Sequence, residues 1–506
     1  MPPPPPPSLP QRRRLVPLAA ALLVVAVAGV LLFHRLGAGS LGGDEAIHAQ
    51  VARNAATSGR WLPLRLYGGL YLSKPPLKLL AEAAVFRLWG VSTFTGRVLD
   101  AAAGVATLLA IFVLGRRFLP IWAAILAALL PLTAQEWVFN HNVRDGTQDA
   151  ALGLLLTLSL LLYFGYVEDG RRRRARLAAS ALIAGLAMLV KGPVGLLLLP
   201  MLLGYELSLR WLRHEETPAR PADALWHTAL AVVAPLAYFA YLAVVAGRGL
   251  LEHLHHEVLL RATEGVDPGH LQGPFFYARL LQADFGWWSL LLLPALLVAL
   301  GRPRRVLGDG GEGAARARQR ALIFAAWWAG VLLGAFSLSV SKLPWYVFPA
   351  YPALALLLAG GAAELARRLP RPLAWVGVGA LALSLAAGLA VTWEITERPA
   401  PLAPAHRLAQ AIEATGGRLL IKRGTPVEGE THFYLEPLGE TAWKIPRSFW
   451  RADGTCRFLL RKTPWPEPVL GQGPRSLRVS ETWTRGRLWL IDLDRCLPPG
   501  VLAEER

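Results

Sequence analysis

Charge is scarce in this chain: only 17% of its 506 residues are Asp, Glu, Lys or Arg. An ordinary soluble protein carries about 25%, so a water-exposed globule throughout is excluded. Cysteine is nearly missing, and the two present, Cys456 and Cys496, both fall near the C-terminus. No Cys/His cluster has metal-ligand spacing, and no P-loop offers a cradle for nucleotide phosphates. No internal repeat divides the chain. No clear cleavage site follows the first apolar run, so that run is expected to stay as a membrane span rather than leave as a secretory leader.

Apolar residues fill the gap, at 54% of the chain. They arrive in blocks such as Leu15–Phe33, Ala150–Phe164, Leu230–Val245 and Leu373–Val391, each near the ~20 residues that cross a bilayer as a helix. The net charge of +18 is carried by arginine clusters between the blocks: Arg12–Arg14, Arg116–Arg117, Arg171–Arg174, Arg302 to Arg305, Arg316 to Arg320 and Arg367 to Arg371. No basic patch lies on a globular segment, which excludes a nucleic-acid-binding surface. Short basic loops on one side of a membrane are the mark of the cytoplasmic face.

Spans at 15–35, 95–115, 119–139, 147–166, 177–190, 192–211, 224–246, 285–301, 321–339, 345–363 and 373–393 put every arginine cluster inside. Residues 1–14 then form a cytoplasmic tail. The loops 37–94, 140–146, 247–284 and 340–344 lie outside, with the segment after 394. Two signals, apolar length and arginine placement, agree on this topology. In the first outer loop, Asp44–Ser58 has helical composition between Gly42-Gly43 and Ser58-Gly59. Leu77–Trp89 is too short to span and reads as a helix lying in the interface. The segment 394–506 changes character: strand-like runs at Arg418–Lys422, Thr431–Leu435, Arg457–Leu460 and Arg487–Leu493 alternate with Gly/Pro turns. A small α/β domain fits, in which Cys456 and Cys496 form either a disulfide or two buried thiols.

Ionisable residues near membrane depth are functional candidates by default. The outer face collects Asp44 and Glu45, Lys74, Arg144, Asp145 and Asp149, Lys191, Arg261, His270 and Lys342. Each has a structural alternative. Asp44 and Asp149 can cap helices, Lys191 and Lys342 can snorkel, and His270 can be a solvated loop residue. As a set they combine acids with fixed cations on one face. A polyprenyl-phosphate sugar donor requires that combination, because cations stabilise the leaving phosphate and a carboxylate can accept the proton of an acceptor hydroxyl.

The stretch 42–77, GGDEAIHAQVARNAATSGRWLPLRLYGGLYLSKPPL, resembles the first outer loop of the GT-C glycosyltransferases related to the lipid A aminoarabinose transferase and the protein O-mannosyltransferases. GRVLDAAAGVATLLAIFVLGRRF, RDGTQDAALGLLLTLSL, VKGPVGLLLLP and SKLPWYVFPAYPALALL follow in the same order, so the resemblance covers roughly 40–360. It implies that Asp44 is the principal catalytic or acceptor-binding carboxylate, with Glu45 beside it. It also implies that Lys74 and Arg261 contact the donor phosphate; Lys191 and Lys342, from the outer-face set, are the next candidates for that contact. Asp149 matches the second acidic position, with Asp145 as the alternative. The chain departs from the aminoarabinose transferases at Ile47, where they commonly carry Arg, and at Ser73, where they carry Glu. The second change removes a possible metal-binding carboxylate, although a divalent metal remains compatible with the set.

The expectation is therefore a mainly α, polytopic membrane protein of GT-C type, with about 11–13 spans in residues 15–393 and a periplasmic α/β domain at 394–506. It would sit in a bacterial inner membrane and move a sugar from a polyprenyl phosphate to lipid A, another envelope glycan or a protein. The rival reading is a lipid-sugar flippase or transporter, which expects ionisable residues deep within spans and broken helices in repeated halves.

Overall fold

The structure is a computed structural model that describes residues 9–168, 173–212, 220–260, 263–264, 268–301, 311–400, 402–422, 429–442, 455–461, 475–478, 489–494 and 496–497. Its first half runs α1 (Leu9–Phe33), α2 (Gly43–Ser58), a hairpin of β1 (Arg65–Leu66) and β2 (Gly69–Leu70), α3 (Leu77–Trp89), α4 (Thr93–Gly115), α5 (Ile121–Leu129), α6 (Gln135–Phe139), α7 (Asp149–Glu168), α8 (Arg173–Lys191) and α9 (Leu198–Trp211). Then come α10 (Pro221–Ala231), α11 (Val233–Ala246), α12 (Arg248–Leu254), α13 (Phe276–Phe285), α14 (Leu292–Leu300), α15 (Gly311–Leu338), α16 (Tyr351–Arg368) and α17 (Arg371–Glu397).

Among the described residues, nine helical stretches are long and apolar enough to cross a membrane. One of them, Arg173–Trp211, is 39 residues long and doubles back at Gly192, whose φ of +69° suits glycine. Gly195 then packs on Met188 and Ala184 of α8. The apolar face of α16 is almost wholly buried, whereas that of α17 is bare. Leu373, Trp375, Val376 and Leu383 stand exposed on α17, which is how a helix on the lipid-facing side of a bundle presents itself. The chain is a multi-pass membrane protein. Close packing of α1 on α4 depends on Gly104, where a Cβ would lie 2.7 Å from Leu32 Cδ1 and 2.8 Å from Val143 Cγ1.

One expected span changes on inspection, and charged side chains are buried within the bundle. The span at 119–139 is broken: α5 gives way to a 3-10 turn at Leu130–Thr133, and α6 follows. Pro131 lacks the N–H that would continue the helix. Helix α3 turns two of its charges inward, Lys78 and Glu82 being buried against α4, while Arg87 is exposed. Ionisable side chains also occur within spanning helices, at Asp100 on α4, Glu206 on α9 and Asp284 on α13. Asp100 and Glu206 are buried.

Past α17, α18 (Pro404–Thr415) leads into β3 (Arg418–Lys422), and α19 (Gly429–Leu435) leads into β4 (Gly439–Ala442). With β5 (Arg457–Arg461), β6 (Arg475–Arg478) and β7 (Trp489–Asp492) they form a five-stranded sheet of order β4-β3-β5-β7-β6. The β4, β3 and β5 strands are parallel, and β7 runs antiparallel to β5 and β6. Leu408, Ile412, Leu419, Phe458 and Leu490 make its core. Cys456 and Cys496 are bonded to each other. Thr431–Leu435, expected as a strand, is helical. It alternates in burial because Leu435 faces the sheet core while Phe433 packs on α2 and α3, so period-two burial here reflects two packing partners rather than a pleat.

Candidate active site

Helix α2 begins at Gly43 because Gly42, at its N-cap, is extended and Glu45 folds back to the Gly42 amide, which donates to Glu45 Oε2 at 3.4 Å. Asp44 is thus the second residue of the helix rather than its cap. Its side chain and that of His48, one turn on, share a face. Burial pushes the Asp44 carboxyl up, but the positive neighbours His48, Lys74, His141 and Lys191 outweigh it and hold the group below the ordinary carboxylate value. His48 is buried, which drives its imidazole well below the usual histidine value despite Asp44. Burial lowers His141 as well, against the pull of Asp44 and Asp149. With both imidazoles neutral near pH 7, Lys74 and Lys191 are the standing positive charges around an ionised Asp44.

Other elements complete the cluster. Lys191, at the end of α8, bonds Asp149 at the start of α7. Its ammonium also lies 5.9 Å from the centre of the Tyr346 ring. His141 adopts φ +53° in the turn between α6 and α7 and stacks on Trp345 at 3.8 Å. Asp44, Lys74, Asp149 and Lys191 therefore meet in one place, with His48 and His141 between them. Among the described residues, the buried His48 Nδ1 and the buried amide of Gln148, which precedes Asp149, have no hydrogen-bond partner.

Glu45 points the other way. Arg97 donates to it twice, Nε to Oε1 at 2.5 Å and Nη2 to Oε2 at 2.8 Å, and the Gly146 N–H donates to Oε1 at 2.8 Å. Asp145 lies behind the same pair, with Oδ2 accepting the His141 N–H at 3.0 Å. Burial and the Glu45 charge push its carboxyl well above the ordinary value. Below, Lys78 bonds Glu82 at 2.8 Å, lies 3.2 Å from Asp100, and donates to the Gly146 carbonyl at 3.0 Å. Burial raises Glu82 to about 7 in spite of that lysine. These groups form a floor that fixes α2, α3, α4 and the 140–148 turn together.

The remaining sequence candidates are more scattered. Arg144 donates to the carbonyls of Leu31, Leu32 and His34 at 2.7–3.0 Å and so caps the C-terminal end of α1. Lys342 donates to the carbonyls of Gln272 and Ser339, and its own N–H donates to the His270 carbonyl at 2.9 Å. That pairing ties the turn before Pro344 to the His270 loop. Arg261 lies outside the described residues. Sequence reasoning missed His48, His141, Arg97 and the Lys78–Glu82–Asp100 group. His48 was within reach as the i+4 neighbour of Asp44 on an expected helix. Arg97 and Asp100 had no local signal beyond a charge inside an apolar run. Among the described residues no group of three or more His, Cys, Asp or Glu side chains could hold a metal ion.

The C-terminal sheet domain touches α2 directly. Arg53 donates to the Phe433 carbonyl at 2.6 Å, pairs with Glu436 at 2.9 Å and lies over the Phe433 ring at 4.9 Å. The Leu41 N–H donates to the Tyr434 hydroxyl at 2.7 Å.

Residues 73–239 match the family model of dolichyl-phosphate-mannose-protein mannosyltransferases. The chain is 30% identical over 353 residues to the undecaprenyl phosphate-alpha-4-amino-4-deoxy-L-arabinose arabinosyl transferase of Pseudomonas aeruginosa, covering 68% of this chain and 59% of that one. It is 28% identical over 335 residues to an uncharacterized protein of Aquifex aeolicus, covering 65% and 61%. The matched region thus spans about three-fifths of these relatives' length. In fold, the chain is similar to ArnT from Cupriavidus metallidurans bound to undecaprenyl phosphate, with a TM-score of 0.68 at 19% identity over 95% of this chain and 99% of that one. The Archaeoglobus fulgidus oligosaccharyltransferase is more distant, with a TM-score of 0.52 at 12% identity over 89% and 70%. In sequence the chain is thus similar to the aminoarabinose transferases and, over 73–239, to the protein mannosyltransferases, and it shares its fold with ArnT.

Proposed function

We propose that the chain is a membrane glycosyltransferase that takes a sugar from a polyprenyl phosphate and passes it to an acceptor at the outer leaflet. The observation that carries this reading is the meeting of Asp44, Lys74, Asp149 and Lys191 at one end of the helical bundle. An acceptor oxygen attacks the anomeric carbon as the bond from that carbon to the phosphate oxygen breaks, and the electron pair leaves with the lipid phosphate. Lys74 and Lys191 stabilise the charge that gathers there. Asp149 holds the Lys191 ammonium in place. Asp44, kept ionised by its neighbours, accepts the proton of a hydroxyl acceptor, or orients the acceptor when that is already an anion. Arg261 would add a cation from the 247–284 loop.

We read the membrane as a bacterial inner membrane with the Asp44 end towards the periplasm; the arginines at 116–117, 316–320 and 367–371, away from Asp44, support that orientation. The domain after 394 rests on α2 and shares that side. Acceptors of the right kind are lipid A, another envelope glycan or a protein. The relatives' aminoarabinose donor is the first sugar to try, although Ile47 and Ser73 stand where those enzymes commonly carry Arg and Glu.

The test is a titration of purified protein with polyprenyl phosphate. Lys74→Ala is expected to weaken binding roughly ten- to a hundredfold, the loss of one charge-assisted contact of about 1.5–3 kcal/mol. Equal affinity in Lys74→Ala and Lys191→Ala would place the phosphate elsewhere and remove the basis of this assignment. Topology is checked by impermeant labelling of Ser58→Cys and Arg174→Cys in spheroplasts, with labelling expected only at position 58.

A further inference from the structure

At the end of the bundle away from Asp44, a cavity opens beside the turn that follows α4. Its volume is about 550 Å³, within the range of about 300–1,000 Å³ of small-ligand sites. Three arginines line it from three separate elements: Arg117 after α4, Arg318 on α15 and Arg367 at the end of α16. Its apolar walls include Phe118, Leu119 and Trp122.

Position and charge narrow the ligand. Helix α4 has 23 residues, roughly 34 Å at 1.5 Å per residue, which matches a hydrocarbon core of about 30 Å. Arg97, near the start of that helix, bonds Glu45, the neighbour of Asp44, and Arg117 follows its end, so the cavity lies about a membrane thickness from the proposed transfer site and is separate from it. Trp122 at its wall is the residue type that marks a headgroup boundary. The acid beside the cavity, Glu364, already accepts from Arg367 at 2.6 Å and from Arg368 at 2.8 Å. Arg117 and Arg318 bring two more guanidinium groups to the cavity wall. Planar guanidinium groups match the oxygens of a phosphate, and the apolar wall suits the glycerol and first acyl carbons beside it.

We propose that this cavity binds the phosphate of an anionic glycerophospholipid from the leaflet opposite the transfer site. Guanidinium groups above an apolar floor fit a lipid headgroup better than a free ion, because a free ion leaves the apolar floor without a partner. Basic pockets between spanning helices on the cytoplasmic side take anionic headgroups on the same principle.

The experiment is native mass spectrometry of the full-length protein, titrated in detergent with phosphatidylglycerol, with phosphatidylcholine, and with inorganic phosphate. Phosphatidylglycerol is expected to bind at least tenfold tighter than phosphatidylcholine. Arg318→Gln and Arg367→Gln are each expected to lower that affinity about tenfold, while Arg174→Gln, a basic residue on another helix at the same end, leaves it unchanged. Melting temperatures measured without lipid show whether a variant is folded, and Arg117→Gln replaces any that is not. Equal binding of the two lipids, or no change in the folded arginine variants, overturns the site. Inorganic phosphate binding as tightly as the lipid overturns the lipid assignment.

Discussion

Asp44 and Glu45 are neighbours in sequence and belong to different regions of the molecule. Glu45 is in the floor, where a cation sits against the acids: Arg97 bonds Glu45, and Lys78 bonds Glu82 and lies 3.2 Å from Asp100. Asp44 is in the cluster above, held by the fields of lysines and histidines. Satisfied charges in a buried site make a rigid support, since removing one partner strands the other. Charges and polar groups left without a closed set of partners are those able to meet a ligand. Among the described residues, His48 Nδ1 and the Gln148 amide are open in this way, while the floor atoms that lack a hydrogen bond, Glu82 Oε1 and the Asp100 oxygens, lie close to the Lys78 ammonium.

The comparison breaks most visibly in the floor. Arg97→Ala leaves Glu45 and Asp145 buried beside each other without their cation, and a cost of about 3–5 kcal/mol is expected. A fluorescence melt in detergent reads it as a large drop in melting temperature together with loss of all transfer. A melt within one or two degrees of wild type would show that the floor is not what holds α2. Replacing Cys456 and Cys496 together by Ser is expected to cost about 2–4 kcal/mol, with transfer preserved in the protein that remains folded. Arg53→Ala, which unties α2 from the Phe433 carbonyl and Glu436, is expected to cost about 1.5–3 kcal/mol and to speed proteolysis of the domain after 394.

How far the sequence reaches follows the same division. The spans, the outer helix α2 and most strands of the terminal sheet were legible, because apolar length, glycine boundaries and alternation are local signals. That Asp44 and Asp149 stand at helix starts next to apolar runs was legible in the same way. The break at Pro131 was readable in principle, while the helix at 429–435 was hidden by its two-sided burial. The partners of Glu45 and of Lys78 were not legible. Arg97 lies 52 positions from Glu45 and Lys78 lies 68 from Gly146, and no pattern within either segment announces a pairing made only when the helices pack. Arg144 carried the same charge signal as a catalytic cation and turned out to cap α1.

A smaller effect sharpens the cluster itself. Asp44 must be ionised to act, and its carboxyl is held below the usual value, so transfer should be level through neutral pH and fall only towards the acid side of ~3.9. Lys74→Ala removes one of the charges that lower it. The carboxyl then titrates higher, and the acid limb of a pH–rate profile measured at saturating lipid should move to higher pH. The two histidines are already neutral at pH 7, so no break is expected near their ordinary ~6.5. A break there in wild type, absent in His48→Gln, would mean that His48 carries a proton in the working enzyme.

The most direct measurement is turnover and lipid binding in Asp44→Asn, made on the same folded preparation. Asn keeps the shape and loses only the charge, which in the first turn of a helix is worth about 0.3–1 kcal/mol to stability. Transfer of the sugar is expected to stop, with the melting temperature nearly unchanged and polyprenyl phosphate still bound within a few-fold of wild type. Near wild-type turnover in Asp44→Asn would contradict the assignment and shift the catalytic role to Asp149.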